Sequence, residues 1–247
     1  MGTQSDLRHN GSIIRYDSAV FDPFEPRLFD ETWLMAEGYH RGSSLGRGQA
    51  HFLNFGGRDM VLRPFRRGGL FGKINRDLYL NAGLKNSRSM QEFELLKWMH
   101  GEGLPVPRVV AAWMVPVGLA YRAAILTERI PAARPLEEVL QDKPLEQHDW
   151  ALVGQTVRMM HDAGVDHSDL NCRNILVDHD HKVWLIDFDK CRRRPSGSWK
   201  SANLERLKRS LIKENSKADG LHWTEKDWAA LIAGYDGKEL DGAASLP

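Results

Sequence analysis

Residues 167–178 read HSDLNCRNILVD, and residues 183–189 read VWLIDFD. The first stretch places a histidine, two aspartates and two asparagines around an apolar Ile-Leu-Val run. The second is an apolar, strand-like run that delivers Asp187 and Asp189. One interpretation is a loop after a helix, whose Asp and Asn side chains satisfy nearby backbone donors. A second makes His161, His167 and Asp169 metal ligands. That set lacks the i, i+4 pairing which puts two imidazoles on one helix face, and no third histidine stands close by.

A third interpretation uses both stretches. Transfer of a phosphoryl group needs a carboxylate beside the acceptor hydroxyl and hard oxygen ligands for magnesium from two chain segments. Asp169 and, five positions on, Asn174 supply one segment, and Asp187 supplies the other. The pair of motifs resembles the kinase-like catalytic loop His-x-Asp-x-x-x-x-Asn followed by a metal-binding Asp-Phe-Gly, here Asp-Phe-Asp.

Upstream, the other parts fall in the order that template expects. In GSSLGRGQAHF, Gly46, Arg47 and Gly48 lie between strand signals, where backbone amides could approach phosphates. Arg63, in DMVLRPF, stands where the template has a lysine. It keeps the charge but changes the geometry. Glu92, in QEFELL, holds the place of the helix glutamate that pairs with that cation. ILTERI falls at the interlobe connection, with Thr127, Glu128 and Ile130 as candidate nucleotide contacts.

The surrounding patterns suit an α+β, protein-kinase-like bilobal fold with a strand-rich N-lobe and a compact helical C-lobe. After a polar, proline-containing start, short runs at 50–55 and 60–65 predict glycine-linked hairpin strands, and 89–99 predicts a helix stopped by Gly101 and Gly103. LPVPRVVAAWMVPVG and YRAAILTERI predict further strands. Helices are then expected in PLEEVL, HDWALVGQTVRMMHDAG, LERLKRSLIKE and TEKDWAALIAGY, with KVWLIDFDK as a strand between them. The expected division is an N-lobe at 1–125, a connector at 126–131 and a C-lobe at 132–247.

Composition narrows the function classes. A 247-residue chain that is 42% hydrophobic can bury a real core. With 34 basic against 33 acidic residues there is no overall pull toward nucleic acid, and no nucleic-acid partner is expected. Two cysteines, Cys172 and Cys191, make neither a disulfide framework nor a zinc motif, which suits a reducing cytoplasm. No apolar run reaches membrane-spanning length, and MGTQSDLRHNGS has no signal-peptide core, so the chain is expected neither to cross a membrane nor to be exported.

Ser168 replaces the arginine that reads activation-loop phosphorylation in protein kinases, no Ala-Pro-Glu follows, and sixty residues of the 247 remain after Asp187. Taken together, LGRGQAHF, VLRPFRRGGLFGKI, GLPVPRVVAAW, LTERIPAARPL, HSDLNCRNILVD, KVWLIDFDKCRRR and WKSANLERLKRSL resemble the 3-deoxy-D-manno-octulosonic acid (Kdo) kinase group of bacterial lipopolysaccharide kinases, over roughly residues 40–235. The resemblance implies ATP-dependent phosphorylation of the 4-hydroxyl of Kdo on a Kdo-lipid A precursor in lipopolysaccharide core synthesis. It implies a peripheral enzyme on the cytoplasmic side of the inner membrane. ATP and Mg2+ are the expected cofactors. Asp169 would be the base, Asn174 and Asp187 the metal ligands, and His167 a buttress of the loop.

Basic runs at 63–76 and 190–200, with Arg206, Lys208 and Arg209 beyond, suit an anionic acceptor and an anionic membrane surface, with Arg66, Arg67, Lys190 and Arg192 as candidate acceptor contacts. Phe65, Leu70 and Phe71 could either meet the bilayer interface or pack internally. Two other classes stay open at this level. One is a small-molecule phosphotransferase of the aminoglycoside or choline type, and the other is a non-catalytic kinase-like regulatory module, suggested by Arg63 at the lysine position.

Overall fold

The computed structural model describes residues 4–44, 50–65, 78–80, 83–217 and 220–238. The chain divides into two compact units. One is the described part of Met1–Glu102 with Pro107–Arg129, and the other is Gly103–Val106 with the described part of Ile130–Pro247.

The first unit is built on an antiparallel sheet. Its strands are β1 (Gln4–His9), β2 (Ser12–Asp17), β3 (His40–Ser43), β4 (His51–Phe55), β5 (Arg58–Pro64), β6 (Tyr79–Leu80), β7 (Val109–Val117) and β8 (Ala120–Glu128). They run in the order β1-β2-β7-β8-β5-β4-β3, with β6 also on β8. Glycine turns set the registers. Gly56 and Gly57, at φ 59° and 74°, close a two-residue turn between Phe55 and Arg58. Such a pair of positive φ values matches the strand twist and is open to glycine at little cost. On one face, Ile14, Leu53, Met60, Leu62, Val110 and Leu126 form the core. Two short elements supply Leu28 and Leu34 to it: a 3-10 turn (Pro26–Phe29) and helix α1 (Glu31–Ala36). Helix α2 (Arg88–Gly101) buries Met90, Phe93, Leu96 and Met99.

Residues 4–36 therefore contain a hairpin, a 3-10 turn and a helix, where the sequence pattern alone marks only a polar start. The overlooked signal was local. Asn10 and Gly11, both at positive φ (48° and 76°), form a two-residue hairpin turn between His9 and Ser12.

The described residues of the second unit carry four helices: α3 (Leu136–Asp142), α4 (Gln147–Asp162), α5 (Trp199–Asn215) and α6 (Glu225–Asp236). Five short strands accompany them among the described residues. β9 (Arg134–Pro135), β11 (Ile175–Val177) and β12 (Val183–Leu185) form one sheet, and β10 (Val165–Asp166) pairs with β13 (Arg192–Arg193). β11 and β12 fall on the expected apolar runs ILV and KVWLIDFDK, while β9, β10 and β13 were not expected. β12 stops at Leu185, short of the strand expected through Asp189, because Asp187 turns into the left-handed region at φ 64°. α5 begins five residues before the expected Leu204.

Helices α4 and α6 meet at glycines. A Cβ on Gly154 would lie 1.9 Å from the Leu231 carbonyl oxygen, and one on Gly234 would lie 2.2 Å from that of Ala151. The two backbones are in direct contact. No helix among the described residues is long and apolar enough to cross a membrane.

Candidate active site

The quoted stretch leaves β10, forms a tight loop at 167–174 and enters β11. His167, fully buried, is its pivot. Its Nε2 lies 3.0 Å from the Ile186 carbonyl oxygen, and its Nδ1 lies 3.3 Å from the backbone nitrogen of Asp169. A carbonyl can only accept and an amide N–H can only donate, so the ring is the Nε2–H tautomer. Burial holds its pKa below the ordinary histidine value, which fits a neutral ring. The ring also packs on Phe188, with centroids 4.8 Å apart. One imidazole thus ties the loop of Asp169 to the two neighbours of Asp187.

The loop closes on itself around Asp169. Its carbonyl oxygen accepts from Asn171 Nδ2 at 2.8 Å and from Asn174 Nδ2 at 2.9 Å. Ile186 N–H donates to the Asn174 carbonyl oxygen at 3.0 Å, joining the start of β11 to the end of β12. The Asp169 side chain is 63% exposed, as a group that must meet a substrate has to be. Asp187 occupies a backbone conformation that costs a non-glycine residue on the order of 1–3 kcal/mol, so the surrounding contacts hold it there.

Helix α5 presents a stripe of side chains to this loop. Asn203 Oδ1 accepts the His167 N–H at 3.0 Å, Arg206 Nη1 lies 3.9 Å from Asp169 Oδ1, Ser210 Oγ accepts the Cys172 N–H at 3.0 Å, and Glu214 Oε2 lies 3.2 Å from Arg173 Nη2. Positions 203, 206, 210 and 214 fall within about 80° of one another around a helix of 100° per residue. Arg173 also donates to Glu137 of α3 at 2.7 Å, and Lys217 pairs with Glu214. The buried carboxylates Glu137 and Glu214 therefore each face a cation.

Asn203 does more than hold His167. Its Oδ1 also lies 3.3 Å from Nε2 of His161, whose Nδ1 accepts from the Tyr235 hydroxyl at 2.9 Å, and its Nδ2 donates to Asp166 at 3.1 Å. Burial pushes the His161 pKa down to about 4. With the ring nitrogens of His161 and His167 taken up by these partners, the histidine metal centre weighed from the sequence is excluded. No cluster of three His, Cys, Asp or Glu side chains suited to a metal occurs among the described residues. The Asn174–Asp187 pair is a different donor set: one amide oxygen and one carboxylate, both hard ligands. Asn174 has committed Nδ2 to Asp169, which leaves its Oδ1 carbonyl oxygen to offer a cation.

In the first unit, Arg63 of β5 and Glu92 of α2 are paired, with Nη2 2.5 Å from Oε1. Glu92 is 3% exposed, and the Arg63 guanidinium also lies over the Phe65 ring, 4.8 Å from its centroid. Phe65 is buried, which favours internal packing over contact with a membrane. Glu128 receives Arg58 at 3.0 Å, while the N–H groups of Glu128 and Arg129 donate to the carbonyls of Arg108 and Asp59. Thr127 pairs with Val61 and Val109 in the sheet, and Ile130 is buried.

Lys190 and Arg192 are exposed, Lys190 at positive φ and Arg192 in β13. Gly46, Arg47, Gly48, Arg66 and Arg67, with Leu70 and Phe71, lie outside the described residues. An open groove of about 460 Å³ is lined by His161, Asp162, Gly164, Arg193, Arg194 and Lys200, and contains none of Asp169, Asn174 and Asp187. Cys172 is buried with its thiol pushed up to about 11, so it remains protonated at neutral pH.

The sequence alone singles out neither Asn203 nor Ser210, and it counts Arg206 only among the basic residues that suit an anionic acceptor. The available signal was the segment ANLERLKRSL, whose polar residues at helical spacing read as an ordinary solvated face.

Comparison with known proteins gives a consistent picture. The model of the Lipopolysaccharide kinase (Kdo/WaaP) family matches residues 31–235. A 3-deoxy-D-manno-octulosonic acid kinase of Vibrio parahaemolyticus is 45% identical over 225 residues, which is 91% of this chain and 94% of that protein. Proteins of the same name from Photobacterium profundum and Pasteurella multocida are 44% and 46% identical, over 94% and 78% of this chain and 98% and 83% of their own lengths.

Proposed function

This chain belongs to the lipopolysaccharide kinase (Kdo/WaaP) family, and we propose that it is a Kdo kinase, transferring the γ-phosphoryl group of ATP to the 4-hydroxyl of Kdo on a Kdo-lipid A precursor. The observation that carries the site assignment is the His167 clamp, which ties the Asp169 loop to the turn bearing Asp187. In this reading Asp169 orients the acceptor hydroxyl and takes its proton as the oxygen bonds to phosphorus and the bond to ADP breaks.

Asn174 Oδ1 and the Asp187 carboxylate would hold Mg2+, which supplies charge neutralisation on the phosphates when bound. Two hard protein oxygens suit an ion that takes the rest of its shell from phosphate and water. Arg63, braced by Glu92, would steady the α and β phosphates, and the segment of Gly46, Arg47 and Gly48 would cover them. Thr127, Glu128 and Ile130 would flank the nucleotide base. With Glu128 N–H spent on Arg108, any backbone reading of the base there falls to other groups. These assignments imply a kinase-like bilobal arrangement with residues 1–125, 126–131 and 132–247 as N-lobe, connector and C-lobe.

The acceptor is a lipid, so the enzyme would work as a peripheral protein on the cytoplasmic face of the inner membrane. Arg66, Arg67, Lys190 and Arg192 are the candidates for anionic contacts with acceptor and bilayer, each worth about 1 kcal/mol near an anionic surface.

Phosphate transfer from labelled ATP to a Kdo-lipid A precursor tests the reading. The wild type should label the lipid, Asp169→Ala should lose about 100- to 10,000-fold in rate, and Asp187→Asn should abolish turnover while remaining folded. Near-wild-type activity of Asp169→Ala would remove it as the base. Label found on a protein and not on the lipid would overturn the acceptor class.

A further inference from the structure

Of the four α5 side chains that face the loop, three are spent. Asn203 and Glu214 are buried, and Ser210 is held between the Leu207 carbonyl and the Cys172 N–H. Arg206 differs. Its side chain is 49% exposed, and its one ionic contact among the described residues is with Asp169 at 3.9 Å, too long for a hydrogen bond. Three other cations of this helix are engaged on the surface: Lys200 with Asp162, Lys208 with Glu225 and Arg209 with Glu205. A guanidinium with five donors, nearly all available, thus stands beside the exposed carboxylate proposed as the base.

We propose that Arg206 recognises the carboxylate of the acceptor sugar, and so determines that this site accepts a sugar acid. The inference rests on the Kdo kinase reading above. An octulosonic acid is anionic at neutral pH, and a free carboxylate approaching Asp169 meets a like charge. A cation within a few ångströms of Asp169 removes that repulsion, and the planar guanidinium can take a carboxylate in two parallel hydrogen bonds. Because Arg206 and Asp169 sit side by side, an acid group held by Arg206 is brought next to the base.

The test compares two acceptors: the Kdo-lipid A precursor with its free carboxylate, and the same molecule with that group converted to a neutral amide. The wild-type enzyme should prefer the acid. Arg206→Ala should raise the KM for the acid about 10- to 100-fold, the range expected for losing a charge-assisted contact, with the KM for ATP unchanged and the preference for acid over amide erased. Arg206→Lys should recover part of the preference.

Equal slowing of both acceptors by Arg206→Ala, with the preference intact, overturns the assignment and makes Arg206 a support for Asp169 alone. A wild-type enzyme indifferent to the carboxylate also overturns it, independently of any variant. If the wild type labels neither acceptor, the Kdo kinase reading itself fails and takes this inference with it.

Discussion

Asn203 Oδ1 sits 3.0 Å from the backbone nitrogen of His167, and through it helix α5 holds the loop that carries Asp169. The same oxygen takes the His161 ring N–H, so a single side chain satisfies two buried donors. Asn203→Ala would leave both without that acceptor. An unsatisfied buried donor costs about 1–3 kcal/mol, so the variant should lose about 2–6 kcal/mol in urea unfolding. Misplacing the loop should also lower turnover on the order of 100-fold. A variant of full activity and stability would show that the loop holds its position without α5.

Acid should weaken the second unit in a defined window. Unfolded, His161 takes up a proton near pH 6.5; folded, it refuses one until about pH 4. The unfolded chain therefore binds more protons between these values, and stability falls as pH drops through them, by on the order of 3 kcal/mol from this group. His167 is shifted in the same direction, by burial, and adds to the effect. Unfolding free energies measured at pH 7.5, 6 and 4.5 should trace the decline, with a shallower slope in His161→Gln.

The Arg63–Glu92 pair should tolerate change poorly. Glu92 is 3% exposed, and withdrawing the guanidinium from a buried carboxylate costs about 3–5 kcal/mol. Arg63→Ala should accordingly unfold at lower denaturant than Arg63→Lys, which keeps the charge. If Arg63 also steadies the ATP phosphates, both variants should bind ATP more weakly in calorimetry. Unchanged ATP affinity in Arg63→Ala would restrict the pair to a structural role.

Gly154→Ala should destabilise by about 3 kcal/mol or more, because the new methyl would meet the Leu231 carbonyl oxygen at 1.9 Å, a backbone atom that cannot rotate away. Thermal unfolding checks this directly. Wild-type stability would mean that α4 and α6 can separate without loss.

Much of the chemistry was readable along the chain. Asp169 and Asn174 are five positions apart in one loop, and Asp187 follows after a short hairpin, so chain connectivity alone keeps the three residues within one segment. The strands beside Gly56–Gly57 were readable too, since a turn with two positive φ values is written locally as glycine. The β1–β2 hairpin is equally local in Asn10–Gly11, although sequence patterning alone marks that stretch only as a polar start with no element assigned.

What the chain by itself determined, then, is everything carried by short spacing: the two acidic motifs, the hairpins, the helices and their order. Only the tertiary structure decided which residues serve the loop. Thirty-six positions separate His167 from Asn203, and nothing in a helix of polar and apolar residues says which polar ones will be buried against a neighbour. That depends on how α5 packs against β10 and the loop after it. Packing turned ANLERLKRSL from a solvated face into a stripe that anchors the loop, fixed the tautomer of His167, and left Arg206 alone in that stripe with donors to spare beside Asp169. The physical reason is that hydrogen-bond partners are chosen by proximity after folding, whereas periodicity and turn chemistry act between neighbours along the chain.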